Sequence, residues 1–317
     1  QGTEVFQNNG YTNTATAMAE IIDNSIQANA KIVDIFVIFK NEGRFDFVKD
    51  IVISDNGNGM DVETFKKCVQ LQGGTRFGNE TGLGRYGMGL PSSSVNQTKK
   101  FHVCSWQTNK KKDLLYTYLD LDEIVEKQTP FLNPISEVLD GKFDIKILDD
   151  LCSSIIKNES GTIVYWENPN KLSWTTAKNM HQPLNDILGR IFRHYIYNNK
   201  VKINISVFEN NGTSFSEKRD YKKSIKAFDP MFVMSNTTTA DAKNGSKWGG
   251  VTSELYCKEV NKEFVEKIND GKNAVKHKFR LNFSYVKKEV REFLEKTGEK
   301  AGRTPIGQLY RNRKHDS

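Results

Sequence analysis

The sequence predicts an α/β protein: a two-layer sandwich of helices on a sheet over residues 1–183, followed by a second α/β domain over 184–317. Runs with helical spacing and runs of β-branched and aromatic residues follow one another along the chain. The strand-type runs are near-continuously apolar, as buried strands are. A length of 317 residues also exceeds the roughly 100–200 expected of one domain.

The first helix is read from residues 14–29, TATAMAEIIDNSIQAN, where Met18, Ile21, Ile22 and Ile26 recur at helical spacing among Glu20, Asp23, Asn24 and Gln27. Glu20 and Asn24 are four positions apart and so share a face of that helix. KIVDIFVIFK and FDFVKDIVIS follow as neighbouring strands across an Asn-Glu-Gly turn. DNGNGMD breaks the second strand, and VETFKKCVQLQ reads as a helix with Val62, Phe65, Cys68 and Val69 inward. The next stretch holds seven glycines between 73 and 89, too many for a packed element and suited to a loop that ends at a helix N-terminus. FHVCSW, LLYTYLDL and GTIVYWEN are strands.

Gln182-Pro183 is taken as a helix break and as the domain boundary. Beyond it, LNDILGRIFRHYIYNN shows helical spacing from Leu184 to Ile196, VKINISVFENNG and KFRLNFSYV are strands, and KKEVREFLEKTG is a helix stopped by Gly298.

Charge divides the chain as well. Residues 1–184 carry 19 Lys and Arg against 23 Asp and Glu, while 185–317 carry 27 against 16. The basic second half can hold a polyanion such as DNA or RNA, double-stranded DNA being the partner expected, although a solvated lysine-rich surface has the same composition. Hydrophobic residues at 37% exclude a disordered chain. No run approaches the roughly 18 apolar residues of a membrane span, and QGTEVFQNNG has no signal-peptide pattern, so no membrane partner and a cytoplasmic location are expected. Cys68, Cys104, Cys152 and Cys257 form no Cys-x-x-Cys pair and are read as reduced thiols. The missing initial methionine and the polar end RNRKHDS predict a piece of a longer protein.

Four short motifs occur in one order: EIIDNS at 20–25, DNGNGM at 55–60, GLGRYGMG at 82–89 and GT at 161–162. The glycine string formally fits the dinucleotide fingerprint, but that fingerprint follows a strand directly and has an acidic residue about 20 positions on. Here a long loop precedes it and Lys99-Lys100 stand in that neighbourhood, so a Rossmann site is disfavoured.

The order and spacing resemble the Bergerat nucleotide-binding fold shared by gyrase B subunits, MutL, the ninety-kilodalton heat-shock chaperones, sensor histidine kinases and the MORC proteins. The resemblance covers about residues 10–170, and EIIDNSIQANAK with GLGRYGMGLPSSS looks closest to MORC-like and related bacterial ATPases. It implies a Mg²⁺-dependent ATPase whose second domain is transducer-like. Glu20 then corresponds to the base that deprotonates the water attacking the γ-phosphate, a task that needs an anion on a rigid helix. Asn24 corresponds to the Mg²⁺ ligand, since that hard cation prefers oxygen.

Asp55 corresponds to the carboxylate that accepts from the adenine amine, with Gly57, Gly59 and Met60 lining the base. Gly84, Arg85, Tyr86, Gly87, Met88, Gly89 and Leu90 match the loop whose N–H groups bind phosphates at a helix start. Thr162 matches a threonine that assists Asp55, a plain strand threonine being the alternative. Gly73, Gly74, Thr75 and Arg76 lie where the family has a lid that closes over ATP and pairs two protomers. Gln27 stands where many members have an aspartate, so the network around Asn24 must differ. The second-domain lysine that contacts the γ-phosphate has no recognisable motif here; Lys287, Lys288 and Lys314 are among those available. ATP-driven dimerisation in a DNA-directed machine is the implied role, with a chaperone-like clamp or a non-hydrolysing nucleotide sensor as alternatives.

Overall fold

The structure is a computed structural model; it describes residues 7, 10–42, 45–69, 89–107, 114–127, 136–137, 159–211, 215–218, 223–229, 234, 237, 254–256, 262–267, 274–279 and 283–285. Two compact units divide the chain, Gln1–Ile225 and Lys226–Ser317.

In the first unit, helix α1 (Thr14–Gln27) begins at Asn13, whose side chain accepts from Thr16 N–H at 3.0 Å while Thr16 Oγ1 accepts from Asn13 N–H at 3.2 Å. This reciprocal cap starts the helix one residue before its apolar stripe. Strands β1 (Ile32–Glu42) and β2 (Phe45–Asp55) pair antiparallel. Helix α2 (Val62–Cys68) is capped by Asp61 and buries Phe65 and the following Val69; Val62, its first residue, points to solvent at 47% exposure, against the inward placement expected from spacing. Helix α3 (Gly89–Gln97), strand β3 (Lys100–Trp106), strand β4 (Leu115–Asp120), helix α4 (Leu121–Lys127), strand β5 (Ser136–Glu137) and strand β6 (Gly161–Glu167) follow. After them come helix α5 (Ala177–Ile191), helix α6 (Arg193–Tyr197) and strands β7 (Lys202–Asn210), β8 (Phe215–Glu217) and β9 (Lys223–Ser224).

The sheet runs β5-β4-β3-β6-β2-β1-β7-β8, with β9 on β7, and every pair is antiparallel except β1 with β7. Strand residues alternate between faces. One face sends Val33, Ile35, Val37, Ile51, Ile53, Val103, Val164, Trp166, Ile203 and Ile205 into a core shared with Met18, Ile22, Leu184 and Leu188 of α1 and α5. The opposite face carries a smaller cluster of Ile38, Val52, Cys104, Trp106, Ile163 and Tyr165.

The boundary expected at 183/184 falls inside this unit. Pro183 lies within α5, not at its end. A proline there removes the donor for the carbonyl of Asn179, and Asn179 is exposed, so water can take that carbonyl. The parallel pairing of β7 with β1 then holds residues 202–209 in the first sheet. The second unit contains two antiparallel pairs among its described residues, β10 (Glu254–Tyr256) with β13 (Phe283–Tyr285) and β11 (Lys262–Lys267) with β12 (Ala274–Phe279). Of the strand expected at 278–286, Lys278 and Phe279 fall in β12 and Phe283–Tyr285 form β13; the residues between them, the helix expected at 287–298, and Lys287, Lys288 and Lys314 lie outside the described residues.

On the sheet's second face His102 is 2% exposed, with Nε2 2.8 Å from Glu167 Oε2 and Nδ1 2.8 Å from Tyr116 Oη. A neutral ring meets both contacts by donating to Glu167 and accepting from the phenol. Burial holds the imidazole below its usual pKa against the opposing pull of Glu167, and the His102 bond in turn lowers the Glu167 carboxyl. Both shifts make stability fall on acidification. The unfolded histidine takes its proton near about pH 6.5, before the folded one does, so its contribution is present above that pH and lost below it. The Glu167 contribution is lost at lower pH still. We expect the melting temperature to drop as pH falls below about 6.5, and the His102→Gln variant to lack that step; a step of equal size in the variant would assign it elsewhere.

Candidate functional site

A cavity of about 230 Å³ opens between α1, the turn after β2, α2 and the start of α3, lined among others by Asn24, Ser25, Asp55, Gly59, Met60, Gly89, Leu90 and Thr162. Of the described members of the predicted set, Asn24, Asp55, Gly59, Met60, Gly89, Leu90 and Thr162 line it, while Glu20 and Gly57 are not among its lining residues. Gly73, Gly74, Thr75, Arg76, Gly84, Arg85, Tyr86, Gly87 and Met88 lie outside the described residues.

Asp55 ends β2 and is 7% exposed. Its Oδ1 accepts from Gly57 N–H at 2.8 Å and its Oδ2 from the Ser25 hydroxyl at 2.7 Å. The strand register sets Thr162 opposite Asp55 and Ser105 opposite Thr162, so three polar side chains form a row across β2, β6 and β3. Burial raises the Asp55 carboxyl above the ordinary range, and hydrogen bonds from Gly57, Ser25 and Thr162 oppose that rise.

The turn after Asp55 is pinned on both sides. Ser160 Oγ donates to Gly57 O at 2.6 Å, and Met60 N–H donates to Ser105 Oγ at 2.9 Å. Gly59 has φ +67°, and a Cβ there would lie 2.0 Å from Trp106 O. A side chain would be opposed by both backbone conformation and space. Gly59→Ala is expected to lower stability by at least about 2 kcal/mol and to move Met60 off Ser105; urea unfolding checks this, and an unchanged midpoint would contradict the close approach.

Glu20 and Asn24 stand one turn apart on α1, both half-buried. A Cβ on Gly89 would lie 2.8 Å from Glu20 Oε2, so glycine at that position is what lets the carboxylate reach the first turn of α3. Burial raises the Glu20 carboxyl, and the negative charge of Asp23 raises it further. Burial pushes the Tyr11 phenol up, and the Glu20 charge adds to that rise. Asp23 is buried and accepts from Gln27 Nε2. The Gln27 amide is neutral, so this bond leaves the Asp23 charge in place beside Glu20.

Spacing in the sequence did not pick out Ser25, Ser105 or Ser160. Ser25 had a signal, a serine in a helix interior beside Asn24, where such residues lower helix propensity unless they bond something. Ser105 and Ser160 had none, since their roles arise from strand register and turn position. Cys68 also lines the cavity, its thiol pushed up to about 12 by burial. Among the described residues no cluster of three or more His, Cys, Asp or Glu side chains could hold a metal by itself, and no helix is long and apolar enough to cross a membrane.

Residues 11–162 match the family model for "Histidine kinase-, DNA gyrase B-, and HSP90-like ATPase". Within this stretch fall all four motifs and every described residue of the predicted set. Among curated proteins, the chain is 34% identical over 106 residues to "ATPase MORC2B" of Mus musculus, covering 31% of this chain and 10% of that protein. It is 33% identical over 116 residues to "Protein MICRORCHIDIA 1" of Arabidopsis thaliana, covering 32% and 17%, and 32% identical over 98 residues to "ATPase MORC2" of Homo sapiens, covering 29% and 9%. The chain thus spans a small part of the length of these relatives. A solved structure described as "Crystal Structure of N terminal domain of a DNA repair protein" aligns with a TM-score of 0.42 at 18% identity, covering 80% of this chain and 64% of the other. Family match and motif order agree on one conclusion: residues 11–162 are a domain of the histidine kinase-, DNA gyrase B- and HSP90-like ATPase family.

Proposed function

We propose that this domain binds ATP with Mg²⁺, hydrolyses it, and uses the cycle to close a glycine-rich lid and pair two copies of the chain as a switch in a DNA-directed machine. The observation that carries the reading is the arrangement around the cavity. A carboxylate at the first turn of α3, an amide one helical turn away and a buried carboxylate at the β2 end stand at its edge and in its lining.

In this reading the adenine amine donates to Asp55, whose carboxylate Ser25 and Gly57 hold in place. A guanine carbonyl there would set two acceptors against each other, at a cost of about 1–3 kcal/mol for unpaired buried polar groups. The phosphates lie at the N-terminus of α3 and the preceding glycine loop, Gly84, Gly87 and Gly89, where backbone N–H groups and the helix dipole favour negative charge. Glu20 accepts a proton from a water as that water's oxygen bonds the γ-phosphorus and the bond to the β-phosphate oxygen breaks. ADP and inorganic phosphate leave, and the proton passes from Glu20 to solvent or phosphate. The raised Glu20 carboxyl brings its basicity nearer to working pH than an ordinary glutamate.

The donor set fits Mg²⁺, which keeps several waters and takes few protein ligands beside phosphate oxygens; the side-chain oxygen of Asn24 is the one offered here. Bound there, the ion supplies charge neutralisation on the phosphates. Residues Lys226–Ser317 serve as the transducer, and the basic residues among them as the surface for duplex DNA.

The test is ATP turnover by the purified chain with Mg²⁺, with and without duplex DNA, alongside Glu20→Ala and a mass measurement with a non-hydrolysable analogue. Turnover that DNA raises and Glu20→Ala removes, with dimers on analogue binding, supports the reading. Tight binding of ATP without turnover makes the domain a nucleotide sensor. Turnover insensitive to DNA but altered by unfolded protein makes it a chaperone-like clamp.

A further inference from the structure

Between Asp186 and Glu209 the chain has no acidic residue, yet it carries Arg190, Arg193, His194, Lys200 and Lys202. The fold gathers these groups, Lys202 excepted. Helix α5 ends at Ile191, α6 occupies Arg193–Tyr197, and the chain turns back through Asn199, at φ +53°, with Lys200 N–H donating to Tyr195 O at 2.8 Å. Lys202 N–H then donates to Lys31 O at 2.9 Å, which brings Lys31 to this end of the sheet, while the Lys202 side chain lies on the other sheet face with Asp34 and Asn204.

Two features mark this surface. Among the described residues, Lys31, Arg190 and Lys200 form no ion pair, and the nearby Asp186 carboxylate accepts from Gln182 and Asn185. Tyr195 and Tyr197 stand beside the cations at 40% and 39% exposure. Cations at a helix C-terminus complement its dipole, which accounts for Arg190 and Arg193, whose Nη1 donates to Arg190 O at 3.0 Å. That account does not reach Lys31 and Lys200, which lie outside the helix, nor the exposed rings.

We propose that this surface binds single-stranded nucleic acid. Phosphates lie along Arg190, Lys200 and Lys31, and an unstacked base rests on Tyr195. Unpaired cations with exposed aromatic rings between them meet both parts of a single strand, its charged backbone and its accessible base faces. A duplex keeps its base faces stacked away from such rings, and an acidic peptide would answer the charge alone. The proposal stands apart from the nucleotide chemistry, since Glu20, Asn24 and Asp55 take no part in it.

The experiment is fluorescence anisotropy of the full chain with a labelled oligothymidylate of about twelve nucleotides, a length within the usual single-strand site sizes, titrated across salt. A duplex of equal length and polyglutamate serve as competitors. Arg190→Gln with Lys200→Gln is expected to reduce the salt slope by about 1.4, two phosphate contacts at about 0.7 each. Tyr195→Ser, which changes no charge, is expected to weaken binding about 5-fold or more. ATP binding by each variant checks that it is folded, and loss of turnover in the wild-type chain would leave this result untouched.

Three outcomes overturn the proposal. They are oligonucleotide binding that neither variant changes, competition by polyglutamate as effective as by unlabelled oligonucleotide, and duplex binding as tight as single-strand binding with Tyr195→Ser without effect.

Discussion

Replacing Glu20 by glutamine is expected to slow ATP turnover by about 10²- to 10⁴-fold, the usual range for losing a general base, while leaving ATP binding and thermal stability at least as high as before. The two halves of this expectation have one source. Burial and the charge of Asp23 both disfavour the ionised form of Glu20 in the folded chain, so the folded state carries an anion it would hold more cheaply as a neutral group. Glutamine keeps the shape, removes that burden, and cannot take a proton from water. A loss of turnover with a lower melting temperature would instead mean that the amide disturbs the first turn of α3, where Gly89 leaves room for a carboxylate oxygen and no more.

The same pair of effects sets the sign of the pH dependence. A base whose pKa is raised loses activity on acidification sooner than an ordinary glutamate would. The acidic limb of the turnover rate should therefore lie above the usual carboxylate range of about 4.3. A limb at or below that value would make burial of Glu20 irrelevant to the working enzyme. So would turnover in Glu20→Gln equal to that of the wild-type chain.

Much of the site was legible because its parts are local. Glu20 and Asn24 share a face by helical period alone, and Asp55 stands at a strand end because Gly57 and Gly59 follow it; both follow from a few neighbouring residues. Other parts depend on residues far apart in the chain. Ser105 meets Thr162 because β3 pairs with β6, and no spacing within either strand specifies that register. The parallel union of β7 with β1 is of the same kind. Seen from the sequence alone, Pro183 marked a break, since proline usually ends a helix; in the fold, tertiary packing of Met180, Leu184 and Leu188 against the core outweighs one missing hydrogen bond. Charge misled for a related reason: composition divides near residue 184, but the first sheet claims the chain as far as β9.

Asp55→Asn should weaken ATP binding by about 10- to 150-fold, the 1.5–3 kcal/mol of a hydrogen bond to a charged group, and should do so without unfolding the domain. The present carboxylate accepts from Gly57 N–H on one oxygen and from Ser25 on the other. An asparagine must keep its carbonyl oxygen on Gly57, because that backbone donor cannot reverse. Its amide nitrogen then faces Ser25, and that hydroxyl can turn: its oxygen lies 3.1 Å from Ile21 O, so it donates there and accepts from the amide. The bonds from Gly57 and Ser25 are thereby kept, the Thr162 N–H is left as the donor the new side chain must also meet, and a buried charge raised in pKa by its surroundings is gone. Toward the cavity, however, the group has changed from acceptor to donor. The adenine amine meets another donor, whereas the 6-carbonyl of inosine triphosphate meets a partner. The affinity ratio of inosine triphosphate to ATP should therefore rise in the variant by more than ATP binding alone falls. Calorimetric titration of both nucleotides decides it: equal losses for the two would mean that Asp55 supports the turn after β2 without touching the base, and that the purine is read elsewhere in the cavity.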